Sequence, residues 1–224
     1  MKITVCNSKE WFKLSDQILS NHQILSIKKK RELTLAALDQ FKPDLVFFPH
    51  WNWIVSEEIF EKYTCIVFHT APLPFGRGGS PIQNLIKSGY TESPVSALAM
   101  SGGIDSGPIY DQIDMSLNGP LSEILGRLND VVNVLMLRLI VHLPEPKKQI
   151  GNAHIFKRLG IKDNEINHES NIEDFYDSIR MLDDPSYPCA YLNLENVCME
   201  FSDISREGND LFCKVRILEK DMEK

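Results

Sequence analysis

The sequence has no long hydrophobic run and no segment typical of a secreted protein. Its 224 residues contain no apolar stretch of the roughly 18–20 residues that a membrane span needs. The richest stretch, residues 131–139, is interrupted by Asn133 and Arg138 and is typical of a buried helix. The first six residues turn polar too soon for a signal peptide and favour an opening strand. We expect a cytoplasmic globular protein with no membrane partner, built as one ordinary domain plus a small appendage.

Paired cysteines and excess positive charge are also missing. The five cysteines are odd in number and include no C-x-x-C pair. Most lie in apolar stretches, so we interpret them as buried free thiols in a reducing compartment. The net charge of −7 argues against a nucleic-acid partner, because phosphate binding needs clustered Lys and Arg. The one basic run, residues 28–31, is interpreted as the solvated start of a helix.

Short apolar runs alternate with amphipathic segments in the first half of the chain. The apolar runs are too continuous to alternate between a buried and an exposed face, which predicts strands that are covered on both sides. They comprise residues 3–6, 24–27, 45–48, 65–68 and 95–100. The segments between them predict helices over residues 10–19, 31–41, 56–63 and 82–88. This alternation predicts a Rossmann-like α/β fold with a mostly parallel sheet.

The second half of the chain changes character towards its end. Residues 109–115 predict a strand nearer the sheet edge, and residues 120–143 predict a long helix that Pro144 stops. Residues 145–168 are predicted to be rich in loops, and residues 172–182 to form a short helix. Two further runs, residues 197–201 and 211–217, flank a polar turn and predict a β-hairpin. We therefore expect a catalytic domain over residues 1–188 and a β appendage over residues 189–224, which would pair across a homodimer or cover a sheet edge.

A glycine- and proline-rich segment follows the fourth predicted strand. Residues 65–81 read C-I-V-F-H-T-A-P-L-P-F-G-R-G-G-S-P, and a buried strand leads directly into His69. Proline fixes the backbone of such a segment, and glycine permits unusual backbone angles. Reactive side chains are commonly placed at the carboxyl ends of parallel strands. His69 is therefore a candidate catalytic residue, although a lone histidine at a strand end can also be a simple capping residue.

A second glycine-rich turn follows the fifth predicted strand. Residues 100–108 read M-S-G-G-I-D-S-G-P and carry one acid, Asp105, which taken alone is an ordinary turn residue. Because both segments are expected to follow neighbouring strands on the same side of the sheet, the histidine and the carboxylate could meet there. A carboxylate that orients an imidazole is a common arrangement for general acid–base catalysis.

The first of these segments resembles the signature of the formyltransferase family that includes methionyl-tRNA formyltransferase. In F-H-T-A-P-L-P-F-G-R-G-G-S-P-I-Q, the strand-end histidine is followed by Leu-Pro, by Arg-Gly and by a proline that starts a helix. The segment G-I-D-S-G-P-I-Y is similar to the second signature of the family, and residues 180–182 with 185–188 are similar to a third patch. The resemblance covers roughly residues 1–190. It implies a Rossmann-like catalytic domain that transfers a formyl group from 10-formyltetrahydrofolate to an amine.

The resemblance also implies roles for individual residues. It makes His69 and Asp105 the catalytic pair. The folate would bind largely through backbone, from the loop around Trp53, Ile54 and Val55 and from Ser101, Gly102, Gly103 and Ile104. The substrate side would be shaped by Asn52, Pro72, Leu73, Arg77, Gly78, Gly79, Ser80, Arg180 and Tyr187. Core packing is an equally good interpretation of Trp51 and Trp53. No metal is expected, and His50 with His69 is the one pairing that we considered as ligands.

Val67 departs from the family pattern. The family usually has an asparagine two residues before the histidine, where it is thought to stabilise the developing oxyanion. Loss of such a donor typically costs about 2.7–4 kcal/mol of transition-state stabilisation. We expect another donor to replace it, with Asn52 and backbone amides as candidates. The alternatives are a folate- or nucleotide-binding protein that has lost catalysis, and a hydrolase that releases formate from the donor.

The acceptor is predicted from the residues of the first signature. These residues most resemble the N-formyltransferases of pseudaminic-acid-type pathways, which act on nucleotide-linked amino sugars. The resemblance therefore implies a UDP-linked 4-amino-4,6-dideoxy sugar as the acceptor. The acidic chain and the short segment after Tyr187 argue against tRNA. Formylation of another small amine, such as glycinamide ribonucleotide, stays open.

Overall fold

The computed structural model of the chain describes residues 1–220 and divides it into two compact units. The first unit comprises Met1–Gly78, Ser93–Met115 and Leu125–Ile155, and the second comprises Gly79–Glu92, Ser116–Ile124 and the chain from Phe156 onward. None of the helices in the described residues is long and apolar enough to cross a membrane. The predicted boundary at residue 188 stays a prediction.

Strands and helices alternate along the first two thirds of the chain, and strands dominate the end. The strands are β1 (Lys2–Asn7), β2 (Gln23–Ile27), β3 (Leu45–His50), β4 (Cys65–Thr70), β5 (Phe75–Gly78), β6 (Glu92–Ala99), β7 (Ile109–Ser116), β8 (His154–Phe156), β9 (Ala190–Asn193), β10 (Val197–Glu207) and β11 (Asp210–Glu219). The helices are α1 (Asp16–Asn21), α2 (Leu35–Phe41), α3 (Glu57–Lys62), α4 (Pro81–Lys87), α5 (Leu121–Val141) and α6 (Ile172–Arg180). Short 3₁₀ helices span Lys30–Glu32 and Ile161–Asn164.

The central sheet of the first unit has the strand order β2-β1-β3-β4-β6-β7. Strands β1, β2, β3 and β4 pair in parallel. The middle strands are buried almost throughout, with Phe47 and Phe48 fully inaccessible. Burial on both faces explains why these strands are continuously apolar in sequence. The predicted α/β fold with a mostly parallel sheet is confirmed.

The direction of β6 corrects one expectation about the site. β6 runs antiparallel to β4, with Ile66 opposite Ala99 and Thr70 opposite Val95. The end of β6 therefore lies beside the beginning of β4, where Met100 N–H donates to the Cys65 carbonyl at 2.9 Å. Our reasoning that the segments after β4 and β6 follow strand ends on the same side of the sheet was wrong. A continuously apolar strand has the same sequence pattern in either direction.

The first helix is shorter and begins later than predicted. The prediction placed it over residues 10–19, whereas α1 spans Asp16–Asn21. Two asparagines of α5 accept hydrogen bonds from the backbone that precedes α1. Lys13 N–H donates to Asn129 Oδ1 at 2.7 Å, and Ser15 N–H donates to Asn133 Oδ1 at 2.8 Å. These distant contacts satisfy backbone groups that a longer helix would have used itself. Similarly, α2 starts at Leu35 because Thr34 caps it through Ala37 N–H.

The second unit contains a three-stranded antiparallel sheet of order β11-β10-β9. The predicted hairpin is present, and its turn contains Gly208 with a φ of 61°. Helix α6 begins at Ile172 and is capped by Asn171, whose side chain accepts from Glu173 N–H and Asp174 N–H. Strands β5, β8 and β9 were not predicted, because segments of three or four residues carry too little periodicity.

The free energy of unfolding is expected to vary with pH because of His50. Its ring lies 4.1 Å from that of Trp11, and burial, with the Lys9 ammonium nearby, lowers the pKa of His50 from 6.5 to about 3. Unfolding exposes the ring, which then takes up a proton below pH about 6.5. The stability is therefore fully present above that pH and falls as the pH drops towards 3. Between pH 7 and pH 5, protonation of this ring in the unfolded state should lower the free energy of unfolding by about 2 kcal/mol.

Urea unfolding of wild type and His50→Gln at pH 7 and pH 5 checks this expectation. The variant should show a clearly smaller loss of stability between the two pH values. His142→Gln, at an exposed histidine of α5's C-terminal flank, serves as the matched control and should behave as wild type. Equal pH dependence in wild type and His50→Gln would contradict the assignment.

Candidate active site

The His69 side chain lies on β4 with both ring nitrogens facing oxygen atoms of the first unit. Nε2 is 2.7 Å from the Gly76 carbonyl oxygen, and Nδ1 is 3.4 Å from Asp105 Oδ2. The imidazole is 6% exposed and the Asp105 side chain 16%. The two residues that the sequence predicted as a pair therefore contact each other in a site that is largely shielded from solvent.

The partner of Nε2 decides how the His69 ring is oriented. A carbonyl oxygen can only accept, so Nε2 donates a hydrogen bond to Gly76. Nδ1 then faces the Asp105 carboxylate, which orients the ring. A carboxylate beside an imidazole is a common arrangement for general acid–base catalysis.

The loop between β6 and β7 brings Asp105 to His69 despite the antiparallel course of β6. Asp105 has a φ of 46°, in the left-handed region that non-glycine residues rarely adopt. Gly78 N–H donates to Asp105 Oδ2 at 2.9 Å, so the same carboxylate oxygen faces both a backbone amide and the imidazole. A charge-assisted hydrogen bond of this kind holds a carboxylate in one direction.

Close packing requires a glycine at position 107. A Cβ added there would lie 1.7 Å from the Ala99 carbonyl oxygen. Gly102 differs, because a Cβ there would have nothing within 4 Å. The loop also carries a side-chain hydrogen bond between Ser101 Oγ and Ser106 Oγ at 3.1 Å. The predicted backbone surface at Ser101–Ile104 is accessible, with the Ile104 side chain 71% exposed.

The segment from β4 to β5 forms the other side of the pair. Pro72 and Leu73 lie in the turn before β5, where the Pro72 carbonyl accepts from Phe75 N–H at 3.2 Å. Arg77 donates to Gln149 Oε1 through Nε at 3.0 Å and Nη2 at 2.7 Å. The sequence did not single out Gln149, because a lone glutamine in a polar loop has no recognisable pattern. The structure places it next to the predicted site.

The loop after β3 presents aromatic surface within the first unit. The Trp51 and Trp53 rings lie 4.8 Å apart, and Trp53 is 37% exposed. Trp51 Nε1 is buried without a hydrogen-bond partner among the described residues. Val55 belongs to the core cluster around Phe48, so only its backbone is available to a ligand. Asn52 is exposed, and its predicted role as a replacement donor stays a prediction.

Four of the predicted substrate residues lie in the second unit and make contacts there. A Cβ on Gly79 would lie 2.6 Å from Arg158 Cβ, and Ser80 Oγ accepts from Leu159 N–H at 3.1 Å. The buried Arg180 guanidinium donates to the carbonyls of Leu117 and Gly119 and to Asp177. Burial raises the pKa of Tyr187. These contacts are structural, and the predicted substrate roles stay predictions.

Metal ligands do not cluster in the described residues. No group of three His, Cys, Asp or Glu side chains within residues 1–220 is arranged to hold an ion. The ring of His50 packs on Trp11 and Phe12.

Comparison with known proteins places this site in a family. The formyl transferase family model matches residues 3–124, more than half of the chain, and the model of the C-terminal domain of methionyl-tRNA formyltransferase matches residues 161–218. The chain belongs to the formyl transferase family. This family uses 10-formyltetrahydrofolate as its formyl donor.

Individual relatives agree with this assignment. A methionyl-tRNA formyltransferase of Wolbachia pipientis is 30% identical over 176 residues, covering 75% of this chain and 56% of the relative. The chain therefore spans about half the length of these curated relatives. The solved structure of a methionyl-tRNA formyltransferase from Clostridium thermocellum is 38% identical to this chain and superimposes on it with a TM-score of 0.91. The match covers 98% of this chain and all of the other. A 4-N formyltransferase from Francisella tularensis shares the fold at a TM-score of 0.65 and 18% identity, with 87% of this chain and 93% of the other covered.

The two glycines of the Asp105 loop give a matched test of its packing. Gly107→Ala should destabilise the protein by about 1–3 kcal/mol, because its new methyl group overlaps a backbone oxygen. Gly102→Ala, in the same loop and with open space around it, should be within about 0.5 kcal/mol of wild type. Urea unfolding of both variants measures the difference. Equal stability of the two variants would contradict this description of the loop.

Proposed function

We propose that this chain transfers the formyl group of 10-formyltetrahydrofolate to the amine of a nucleotide-linked amino sugar. The observation that carries the transfer reaction is the His69–Asp105 pair, in which both imidazole nitrogens face oxygen atoms. Family membership supports the reaction class, and the sugar acceptor rests on the wording of the sequence signature and on charge. A UDP-linked 4-amino-4,6-dideoxy sugar is the proposed acceptor.

The described residues fit a folate donor in two places. Trp51 Nε1 is a buried donor without a partner, beside the exposed ring of Trp53. The backbone at Gly102 is open to close approach by a flat ring. We therefore propose that the loops 52–55 and 101–104 hold the folate, which supplies an activated formyl group.

The His69–Asp105 pair can supply both proton movements of acyl transfer. The attacking amine gains a bond to the formyl carbon and loses a proton, while the departing nitrogen gains one. His69 can donate its Nε2 hydrogen bond to a developing negative charge, while the Asp105 carboxylate receives the proton of the amine and passes it to the departing nitrogen. Burial strengthens both interactions, because the site is shielded from water.

The absence of the family asparagine leaves oxyanion stabilisation to other groups. Val67 precedes His69 by two residues on β4, so it shares its face of the strand and offers no donor. The Gly78 amide is already bonded to Asp105, which leaves the imidazole itself as a donor. We propose that the Nε2–H of His69 exchanges the Gly76 carbonyl for the formyl oxygen during the reaction.

The charge of strands β10 and β11 favours a small acceptor over tRNA. Each Lys and Arg of residues 190–219 lies beside an acid: Arg206 with Glu173, Lys214 with Asp203 and Arg216 with Glu200. A surface that binds RNA needs clustered cations that are available to phosphates. The cations of these two strands are interspersed with acids, and the chain carries a net charge of −7.

Turnover of purified protein with 10-formyltetrahydrofolate and a panel of nucleotide-linked amino sugars tests the reaction. His69→Gln and Asp105→Asn should each lower kcat by about 10²–10⁴-fold, because each removes a proton carrier. Both variants should unfold at urea concentrations near that of wild type. Folate binding without turnover on any amine would favour a binding protein that lost catalysis through Val67, and formate release without an acceptor would favour a hydrolase.

A direct competition between acceptors tests the substrate class. The amino sugar should be formylated with a higher kcat/KM than methionyl-tRNA, and its rate should change little with salt. Arg206→Ala should not alter either activity selectively, since its guanidinium is held by Glu173. Preferential formylation of methionyl-tRNA, with a steep decline in added salt, would contradict the sugar assignment.

A further inference from the structure

The side chain of Gln149 connects two segments that form the active site. Its Oε1 accepts two hydrogen bonds from Arg77 of β5. Its Nε2 donates to the carbonyl oxygens of Asp105 and Gly107, both at 2.8 Å. All the polar positions of this amide are therefore used, and one side chain joins β5 to the loop that carries the catalytic acid.

Arg77 fixes the direction of the Gln149 amide. A guanidinium has only donors, so the glutamine oxygen must face it and the NH₂ group must face the loop. The NH₂ group then meets two carbonyls, which only accept. No alternative orientation satisfies these partners, and the amide is held in one position.

The Asp105 loop needs such a support. A non-glycine residue with a φ of 46° is strained and persists only when its surroundings hold it. Gln149 holds the carbonyl of Asp105 itself and the carbonyl two residues later. The Gly78 amide, next to Arg77 in β5, holds the carboxylate. Backbone and side chain of Asp105 are thus both tied to β5.

We propose that Gln149 is a positioning residue for the His69–Asp105 pair. It holds the Asp105 loop in a fixed position beside β5, so that one carboxylate oxygen faces both Gly78 N–H and His69 Nδ1. The kinetic part of this inference rests on the proposed formyl transfer, whereas its structural part does not. Misplacement of a catalytic group by about 1 Å can lower the rate about 10²-fold.

Gln149→Glu tests the role with little change in shape. The glutamate keeps an oxygen for Arg77 but places a second oxygen against two carbonyls, so the loop should shift. We expect kcat to fall about 10²-fold with an unchanged KM for the folate donor. Gln17→Glu is the matched control, because Gln17 is an exposed residue of α1 and the same change of charge there should leave kcat unchanged. Gln149→Leu serves as a second variant that adds no charge.

Nitrogen-15 NMR of the His69 ring gives a readout that needs no activity. In wild type the shifts should report a hydrogen on Nε2, and both Gln149 variants should change the Nδ1 signal while Gln17→Glu does not. If wild type formylates no amine, this measurement still decides the structural part. Unchanged His69 signals in both folded Gln149 variants would overturn the inference. The inference would also be overturned if the activity of the Gln149 variants fell only in proportion to their folded fraction, as measured by thermal unfolding.

Discussion

The contact between His69 and Asp105 is the interaction on which the site depends. Nε2 donates to the Gly76 carbonyl, which leaves Nδ1 to face the carboxylate. The rest of the site keeps this arrangement in place. A strained Asp105 backbone, a backbone amide at Gly78 and a loop too tight for any side chain at position 107 all restrict the carboxylate to one position.

The sequence predicted the architecture well where a physical pattern extends over several residues. The apolar strands β1, β3 and β4, the long helix α5 and the C-terminal hairpin were all predicted near their observed positions. The late start of α1 was not, because Asn129 and Asn133 bind the preceding backbone from more than a hundred residues away. Strand direction was also out of reach, since burial on both faces erases the pattern that would distinguish β6 from a parallel strand.

The contact between His69 and Asp105 was predicted for a reason that was partly wrong. His69 was placed correctly at the end of a buried strand, but Asp105 does not follow a strand that ends on the same side. Its loop makes the contact, and nothing in the local sequence specifies that path. The family resemblance supplied the pairing that topology alone would have missed. Gln149 had neither a pattern nor a motif, and only its four hydrogen bonds reveal it.

The central claim is that the formyl donor reacts beside the His69–Asp105 pair. A crystal structure of the protein with 5-formyltetrahydrofolate, a stable analogue of the donor, tests it most directly. We expect the flat ring of the analogue to lie against the backbone of residues 101–104. Its formyl group should lie within hydrogen-bond distance of His69, at about 3 Å. Folate bound elsewhere on the protein, with His69 Nε2 still bonded to Gly76 and out of its reach, would contradict the account.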